Sequence, residues 1–138
     1  MTVDVERLRQ LPLFGDLDFH DLSMLTHHLG EVHLSQGQVL FEEGSIPYEM
    51  FMVEEGTAEV TVNGAPVGLI GPGDVVGEIG LLRLERRMAT VRVTSPIRAV
   101  TMSAEDLQLI EDEMPEIARH LRSIMARREE ENAALPEE

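Results

Sequence analysis

The stretch from residue 31 to residue 102 consists of short apolar and β-branched segments that are cut by glycines. Ala58, Val60 and Val62 alternate with polar residues, which is the period of a strand with one buried face. Asn63-Gly64 follows directly, and this dipeptide is a strong signal for a two-residue hairpin turn. Roughly eight strands at this spacing predict a barrel or jelly roll, because those folds join many short strands by tight turns.

Helical patterns flank the strands on both sides. Val5 and Leu8 have helical spacing near the start of the chain. After the strands, Ser103 and Asp106 form a capping-box signature, and Pro115 suits the first turn of a last helix. We therefore predict a mainly β fold with flanking helices, in which one short helix interrupts an eight-stranded β-roll (a jelly roll, or double-stranded β-helix). The predicted bounds are N-terminal helices within 4–29, the β-roll over 31–102 and C-terminal helices over 104–128.

The length of 138 residues predicts a single domain, since a chain of this size buries roughly two-thirds of its unfolded surface in one core. We assign this domain to residues 1–128. Residues 129–138 carry few apolar side chains, so we expect them to form a frayed tail.

Composition narrows the classes of function. The chain has 26 acidic and 11 basic residues and a net charge of −15, which argues against nucleic acid as a partner. It has no cysteine, which excludes disulfides and thiol catalysis. No apolar run approaches the ~20 residues of a membrane span, and the acidic start does not resemble a signal peptide. We therefore expect a cytoplasmic protein that does not bind membranes.

The segment 77–91, GEIGLLRLERRMATV, is the helix-like interruption of the strands and carries the chemistry of a ligand site. A glycine turn that opens a short helix presents free N–H groups, which suit an anion. Arginine can bind a phosphate through two parallel hydrogen bonds, and the Glu78 carboxylate can accept hydrogen bonds from sugar hydroxyls. Recognition of phosphate and sugar in one loop predicts a nucleotide ligand.

Arginines are concentrated in this segment. All 11 basic residues are arginines, and none lies between Arg9 and Arg83. Four then fall within ten residues: Arg83, Arg86, Arg87 and Arg92. Repulsion from distant acids is screened beyond about 8 Å at physiological salt, so nearby arginines decide anion binding. Any one of them could be a solvated turn residue, but Arg87 leads from the glycine turn into a strand, and we favour it as the phosphate ligand.

Three segments resemble the cyclic nucleotide-binding domain family, which includes the regulatory subunits of cAMP-dependent kinase and the catabolite activator protein. Residues 11–17, LPLFGDL, resemble the entry segment of that family, and residues 71–74, GPGD, resemble the turn before its phosphate-binding cassette. Residues 77–91 resemble the cassette itself. The resemblance covers most of the chain and implies the β-roll that the strand pattern predicts.

The resemblance also implies roles for individual residues. Glu78 matches the acid that binds the ribose 2′-hydroxyl, and Arg87 matches the arginine that binds the cyclic phosphate. The full set of implied ligand-binding residues is Gly77, Glu78, Ile79, Gly80, Arg87, Met88 and Ala89. No cofactor or metal is implied; the ligand is cAMP, with cGMP as the alternative.

Three residues near the cassette depart from the family pattern. Arg86 stands where the family often has proline, and Val76 stands where it often has phenylalanine. Met88 stands where alanine, serine or threonine is usual, and a threonine hydroxyl there is associated with preference for cGMP. Because Met88 lacks that hydroxyl, we favour cAMP. Its bulk motivates an alternative function, an interaction module that keeps the fold without binding nucleotide.

The last predicted helix has two candidate roles. The resemblance implies that a residue of this helix caps the base, and Leu121, Ile124 and Met125 are the candidates by position. These three residues form an apolar stripe along the helix, which could instead pack on the β-roll, and the two roles are compatible. Arg127 and Arg128 interrupt the stripe, which argues against a long coiled coil. We expect a monomer, or a homodimer formed through the C-terminal helix.

A cupin-like metalloenzyme is the remaining alternative. Such a site needs two or three histidines and an acid that converge inside the barrel. Of the five histidines, only His33 falls in the strand region, and His27 and His28 would point about 100° apart on a helix. No paired nucleophile and base stands out. We therefore expect a stand-alone, non-enzymatic cyclic nucleotide sensor that acts on an effector protein.

Overall fold

The structure is a computed structural model that describes residues 3–77 and 86–131. Within these ranges, helices α1 and α2 and two 3₁₀ turns precede six strands, and helices α3 and α4 follow them. The helices and turns are α1 Val5–Arg9, a 3₁₀ turn at Pro12–Phe14, α2 Phe19–Leu25, a 3₁₀ turn at Thr26–His28, α3 Ala104–Glu113 and α4 Pro115–Glu131. The strands are β1 Gly30–Leu34, β2 Val39–Phe41, β3 Glu49–Val62, β4 Ala65–Ile70, β5 Val75–Val76 and β6 Thr90–Ser103.

Two long strands form the centre of the sheet. β3 and β6 have 14 residues each and pair antiparallel from Glu49 opposite Ser103 to Thr61 opposite Thr90. β1 and β2 pair with β6, whereas β4 and β5 pair with β3. All of these pairings are antiparallel. The predicted class, a mainly β fold with flanking helices, is confirmed.

The described residues contain six strands where the sequence predicts about eight. The sequence pattern predicts separate strands at 48–53 and 58–62, but both lie almost entirely in the continuous strand β3. Likewise, the strands that it predicts at 89–93 and 97–102 lie almost entirely in β6. Gly56 lies between the first two, with φ +92°, where the pairing register shifts. A Cβ atom on Gly56 would lie 2.1 Å from the carbonyl oxygen of Pro96. The glycine therefore permits a bulge and a close strand contact, and it does not end the strand.

The capping box of α3 and the hairpin turn form as the sequence predicts, and α2 has a side-chain cap as well. The Asp18 carboxylate caps α2, and Ser103 and Asp106 form both hydrogen bonds of a capping box at the start of α3. Asn63 and Gly64 have φ values of 53° and 83°, and they join β3 to β4. Positive φ at both central residues is the requirement of a type I′ turn, which explains why this dipeptide is a reliable signal.

The last helix extends further than predicted. α4 continues to Glu131, past the predicted boundary at residue 128, and residues 132–138 lie outside the described ranges. None of the helices in the described part of the chain is long and apolar enough to cross a membrane.

The core divides into two clusters because side chains alternate along β3. Met50 and Met52 pack with the buried apolar residues of the helices, and we call this group the helical cluster. Phe51 and Val53 belong to a second group, the roll-interior cluster. Its buried members are Phe41, Phe51, Val53, Ala58, Val60, Ile70, Val76, Ala89, Val91, Val93, Ile97 and Ala99. One face of the long strands thus holds the helices, and the other lines the interior of the roll.

α1 is attached to the sheet by a mostly buried network of ion pairs. The Arg7 guanidinium donates to the Glu54 carboxylate from Nε at 3.0 Å and from Nη2 at 2.6 Å, and it forms an ion pair with Glu31. The Arg7 side chain is 17% exposed, and those of Glu31 and Glu54 are 5% and 8% exposed. His33 shares a 2.7 Å hydrogen bond with Glu31, and Arg98 lies 3.5 Å from Glu54. The hydrogen bonds to Glu54 are the main cause that raises the pKa of Arg7 above its usual range, so this residue stays charged.

Candidate functional site

Arg87 is held at the edge of the roll by its backbone. Its N–H donates to the Ser45 carbonyl at 2.9 Å, and its carbonyl accepts from the Gly44 N–H at 2.8 Å. These two bonds join Arg87 to the loop between β2 and β3. The preceding Arg86 is exposed, and its Nη1 donates to the Gly44 carbonyl at 2.8 Å. The adjacent arginines therefore differ, because one side chain faces the protein and the other faces solvent.

The side chain of Arg87 is buried and oriented. The residue is 4% exposed. Its Nη1 donates to the Gly77 carbonyl at 2.9 Å, and its Nη2 donates to the Glu49 carbonyl at 2.5 Å. Its Cζ lies 4.1 Å from the centroid of the Phe41 ring. These carbonyl acceptors fix the orientation of a buried guanidinium, a group that can bind an oxyanion through charge-assisted hydrogen bonds.

Gly77 leaves the space that Arg87 occupies. Its φ is +88°, a conformation that residues with a side chain rarely adopt. A Cβ atom on Gly77 would lie 2.7 Å from Nη1 of Arg87 and 3.3 Å from its Cζ. The absence of a side chain therefore serves both the backbone turn and the close approach of the guanidinium.

Arg87 lines a cavity of about 580 Å³. The cavity combines two phenylalanine rings with charged and polar groups. Its lining residues are Val39, Leu40, Phe41, Glu42, Ser45, Ile46, Tyr48, Glu49, Phe51, Arg86 and Arg87. Ile46 and Tyr48 are mostly exposed, so they form its solvent side. A cavity of this size with apolar walls and a few polar groups suits a small organic molecule, and the arginine favours an anionic one.

The Glu49 carboxyl modulates the charge near Arg87. Burial raises the pKa of the Glu49 carboxyl, the positive charge of Arg87 opposes that rise, and the negative charge of Asp106 adds to it. The ionised form of Glu49 is therefore disfavoured relative to a solvated glutamate.

Four of the seven predicted ligand-binding residues are described, and two of them are in contact. Gly77 and Arg87 share the hydrogen bond given above. Ala89 is fully buried in the roll-interior cluster. Met88 is 47% exposed, so its bulk points largely to solvent. The predictions for Glu78, Ile79 and Gly80 fall on residues outside the described ranges.

The three candidate base-capping residues pack in the helical cluster. Leu121 and Met125 are fully buried there, and Ile124 is almost so. They contribute to the core that joins α4 to the N-terminal helices, and they are absent from the lining of the 580 Å³ cavity. In this conformation the stripe has the packing role that the sequence allowed, and base capping stays a prediction.

A metal centre was the third possibility from the sequence. Residues 3–77 and 86–131 contain no group of three histidine, aspartate or glutamate side chains that could hold a metal ion. His33, the histidine of the strand region, is exposed and hydrogen-bonds to Glu31.

Sequence reasoning missed three of the residues around Arg87. Ser45 and Glu49 contribute main-chain carbonyls, which every residue has, so no side-chain pattern marks them. Phe41 looks like an ordinary apolar strand residue in the sequence. Aromatic residues are scarce in this chain, and two of its four phenylalanines, Phe41 and Phe51, line this cavity. That scarcity was the signal in the sequence that could have drawn attention to Phe41.

Comparison with known proteins identifies one family of relatives. Residues 31–112 match the cyclic nucleotide-binding domain family. The chain is 30% identical over 112 residues to a cyclic nucleotide-gated potassium channel of Rhizobium etli, an alignment that covers 81% of this chain and 31% of the channel. It is 29% identical over 115 residues to the cAMP-dependent protein kinase regulatory subunit of Eremothecium gossypii, covering 81% of this chain and 25% of that subunit.

A solved structure is similar over nearly the whole chain. The N-terminal domain of a transcriptional regulator from Streptomyces coelicolor has a TM-score of 0.75 and 29% identity, and the match covers 96% of this chain and 98% of that one. The chain spans only a quarter to a third of the length of the curated relatives named above.

Proposed function

The chain belongs to the cyclic nucleotide-binding domain family, and on this basis we propose that it is a regulatory domain that binds a cyclic nucleotide through Arg87. The ligand phosphate would contact the Arg87 guanidinium, and the ribose 2′-hydroxyl would contact Glu78. Gly77 and Gly80, with Ile79 between them in the sequence, would allow the backbone of the cassette to approach the ligand. Met88 and Ala89 would lie near its phosphate and base. The domain would regulate an effector protein in the cytoplasm, without catalysing a reaction.

The burial of Arg87 is the observation that carries this proposal. Removing a cation from water costs free energy unless other groups compensate for the lost hydration. Here two main-chain carbonyls and an aromatic face hold the guanidinium in one orientation. A phosphate would offer this guanidinium charge-assisted hydrogen bonds, which are shorter and stronger than bonds to neutral carbonyls. A buried and oriented arginine that lines a cavity is therefore suited to bind the phosphate of a ligand.

The residue after the arginine supports cAMP as the ligand. Met88 has no hydroxyl with which to bind a guanine base, and its side chain is 47% exposed. The exposure also weakens the argument for the competing function, an interaction module without nucleotide, because that argument required the bulk of Met88 to fill the ligand site. We therefore favour cAMP over cGMP and favour nucleotide binding over the interaction module.

Ligand binding would regulate through the C-terminal helices. In this proposal, one of Leu121, Ile124 and Met125 leaves the helical cluster and covers the base. A ligand shifts such an equilibrium only by its difference in affinity between the two conformations. Covering the base supplies that difference, since it adds contacts in one conformation alone.

Calorimetric titration with cAMP and with cGMP tests the proposed function. We expect cAMP to bind with a micromolar or lower dissociation constant, about −8 kcal/mol, and more tightly than cGMP. A hundredfold excess of cAMP over its dissociation constant should stabilise the folded chain by about 2.7 kcal/mol, which a melting curve detects. Absence of both heat and a melting shift at millimolar cAMP would reject the nucleotide-binding function and leave the interaction module.

A further inference from the structure

We propose that Phe41 is a positioning residue for the phosphate site, because its ring is the platform on which the Arg87 guanidinium rests. This inference rests on the proposed function and adds a residue outside the cassette 77–91. The chemistry is an attraction between a cation and the electron-rich face of an aromatic ring.

The contact has the geometry that this attraction requires. Cζ of Arg87 lies 4.1 Å from the centroid of the Phe41 ring, well inside the limit of about 6 Å for such pairs. Phe41 is 8% exposed and Arg87 is 4% exposed, so water screens the contact little. The interaction is strongest where both groups are desolvated.

The Phe41 ring is itself fixed by the roll. Phe41 pairs with Val91 across β2 and β6, and it belongs to the roll-interior cluster. Phe51 packs beside it, with ring centroids 6.4 Å apart and the ring planes inclined by 32°. Phe51 pairs in turn with Val76, the residue before Gly77. The platform is thus connected to the start of the cassette through packed side chains and strand pairing.

A ring and two carbonyls constrain the guanidinium in different ways. The carbonyls of Gly77 and Glu49 restrain the edge of the group through hydrogen bonds within its plane. The ring attracts the guanidinium as a whole and does not use any of its five N–H donors. A phosphate that displaces a carbonyl would therefore leave the ring contact in place. Phe41 would keep the charge positioned while the hydrogen bonds change partners, so that less orientational freedom is lost on binding.

Fluorination of the ring at position 41 separates this role from packing. Replacing Phe41 with 4-fluoro-, 3,5-difluoro- and 3,4,5-trifluorophenylalanine withdraws electron density from the ring face at almost constant shape. We expect the dissociation constant for cAMP to rise stepwise along the series, reaching about tenfold for the trifluoro ring. The same series at Phe14, which is buried in the helical cluster, is the control and should leave the dissociation constant unchanged.

A measurement without nucleotide completes the test. Phe41→Leu and Arg87→Met, alone and together, form a double-mutant cycle in chemical unfolding, and we expect the pair to be coupled by about fivefold in the unfolding constant. A cAMP affinity that does not change along the fluorinated series would overturn the positioning role, even if the cycle shows coupling. If the unsubstituted chain binds no cAMP, the proposed function fails and the positioning role fails with it. The cycle would then tell whether the ring contact is a structural interaction.

Discussion

At the scale of single residues, the two adjacent arginines at the end of the cassette have different surroundings. Arg87 is buried against Gly77, Glu49 and Phe41, whereas Arg86 is exposed and bonds to one loop carbonyl. The resemblance selected Arg87 as the phosphate ligand by its position in the motif. Its burial and orientation are independent reasons to expect the same assignment.

Replacing each arginine by alanine tests this assignment. Arg87→Ala should weaken cAMP binding by about 2 kcal/mol or more, because it removes a charge-assisted hydrogen bond to the phosphate. Arg86→Ala is the matched control and should change the affinity by less than about 0.5 kcal/mol. Titration calorimetry measures both variants. A larger effect at Arg86 would mean that the phosphate binds to the exposed arginine.

Gly77 offers a second test at this scale. Gly77→Ala combines an unfavourable positive φ with a Cβ atom placed 2.7 Å from Nη1 of Arg87, so it should both destabilise the fold and displace the guanidinium. Gly37→Ala is the control, since Gly37 has φ +91° and a Cβ atom there would have none of the described residues' atoms within 4 Å beyond its chain neighbours. We expect Gly37→Ala to lose about 1 kcal/mol of stability in chemical unfolding and Gly77→Ala to lose more, because only Gly77→Ala adds a steric clash. Reduced cAMP affinity should occur in Gly77→Ala alone. An equal loss of cAMP affinity in both variants would exclude the steric explanation.

At the scale of elements, α1 is the shortest of the described α-helices, and ion pairs attach it to the sheet. α1 has five residues, too few to be stable by itself in water, so its position depends on tertiary contacts. Leu8 supplies apolar burial, and Arg7 connects the helix to β1 through Glu31 and to β3 through Glu54. One side chain thus joins three elements that are distant in sequence.

Removal of Arg7 should reveal how much this connection stabilises the fold. Arg7→Met removes a cation that two carboxylates share, and loss of its nearly buried pair with Glu54 should cost about 2 kcal/mol, between the values for exposed and fully buried pairs. Arg9→Met is the control, because Arg9 lies at the surface, 3.9 Å from the exposed Glu6, and such pairs contribute little. Urea unfolding measures both. Equal stability of the two variants would show that solvent compensates for the lost network.

At the scale of the whole molecule, the net charge of −15 makes stability sensitive to pH. The hydrogen bond from His33 is the main cause that lowers the pKa of the Glu31 carboxyl, and Arg7 acts in the same direction. Burial raises the pKa of the Glu49 carboxyl. The ionised form of Glu31 is therefore favoured by folding, whereas the ionised form of Glu49 is disfavoured.

These two carboxyls should change stability in opposite directions on acidification. The contribution of Glu31 is present above the pKa of an unfolded glutamate, about 4.3, and is lost as the pH falls through its lower folded value. Glu31→Gln should therefore be less stable than the parent at pH 7, and the difference should shrink towards pH 3. Glu49→Gln should change the free energy of unfolding little at pH 7, because folding disfavours the ionised form of that carboxyl. Urea unfolding from pH 7 to pH 3 measures both, and a constant deficit for Glu31→Gln would contradict the linkage.

Much of the fold follows from short-range signals in the sequence. Asp18 and Ser103 start helices, Asn63-Gly64 forms a hairpin turn, and period-two alternation assigns β3 residues to two faces. These signals act over two to four residues and do not depend on the rest of the chain. Gly56 shows their limit, because a strand break and a bulge inside a strand look the same until the opposing backbone at Pro96 is in place.

The sequence by itself determined the fold class and the caps and turns, and its motif selected Arg87 as the proposed phosphate ligand. Only the tertiary structure decided what surrounds that arginine. Of its partners among the described residues, Gly77 follows β5, Glu49 begins β3 and Phe41 ends β2. The tertiary structure also decided that the apolar stripe of α4 packs with the N-terminal helices. The physical reason is that contacts between distant segments depend on how complete elements pack, whereas caps, turns and periodicity depend on neighbouring residues alone.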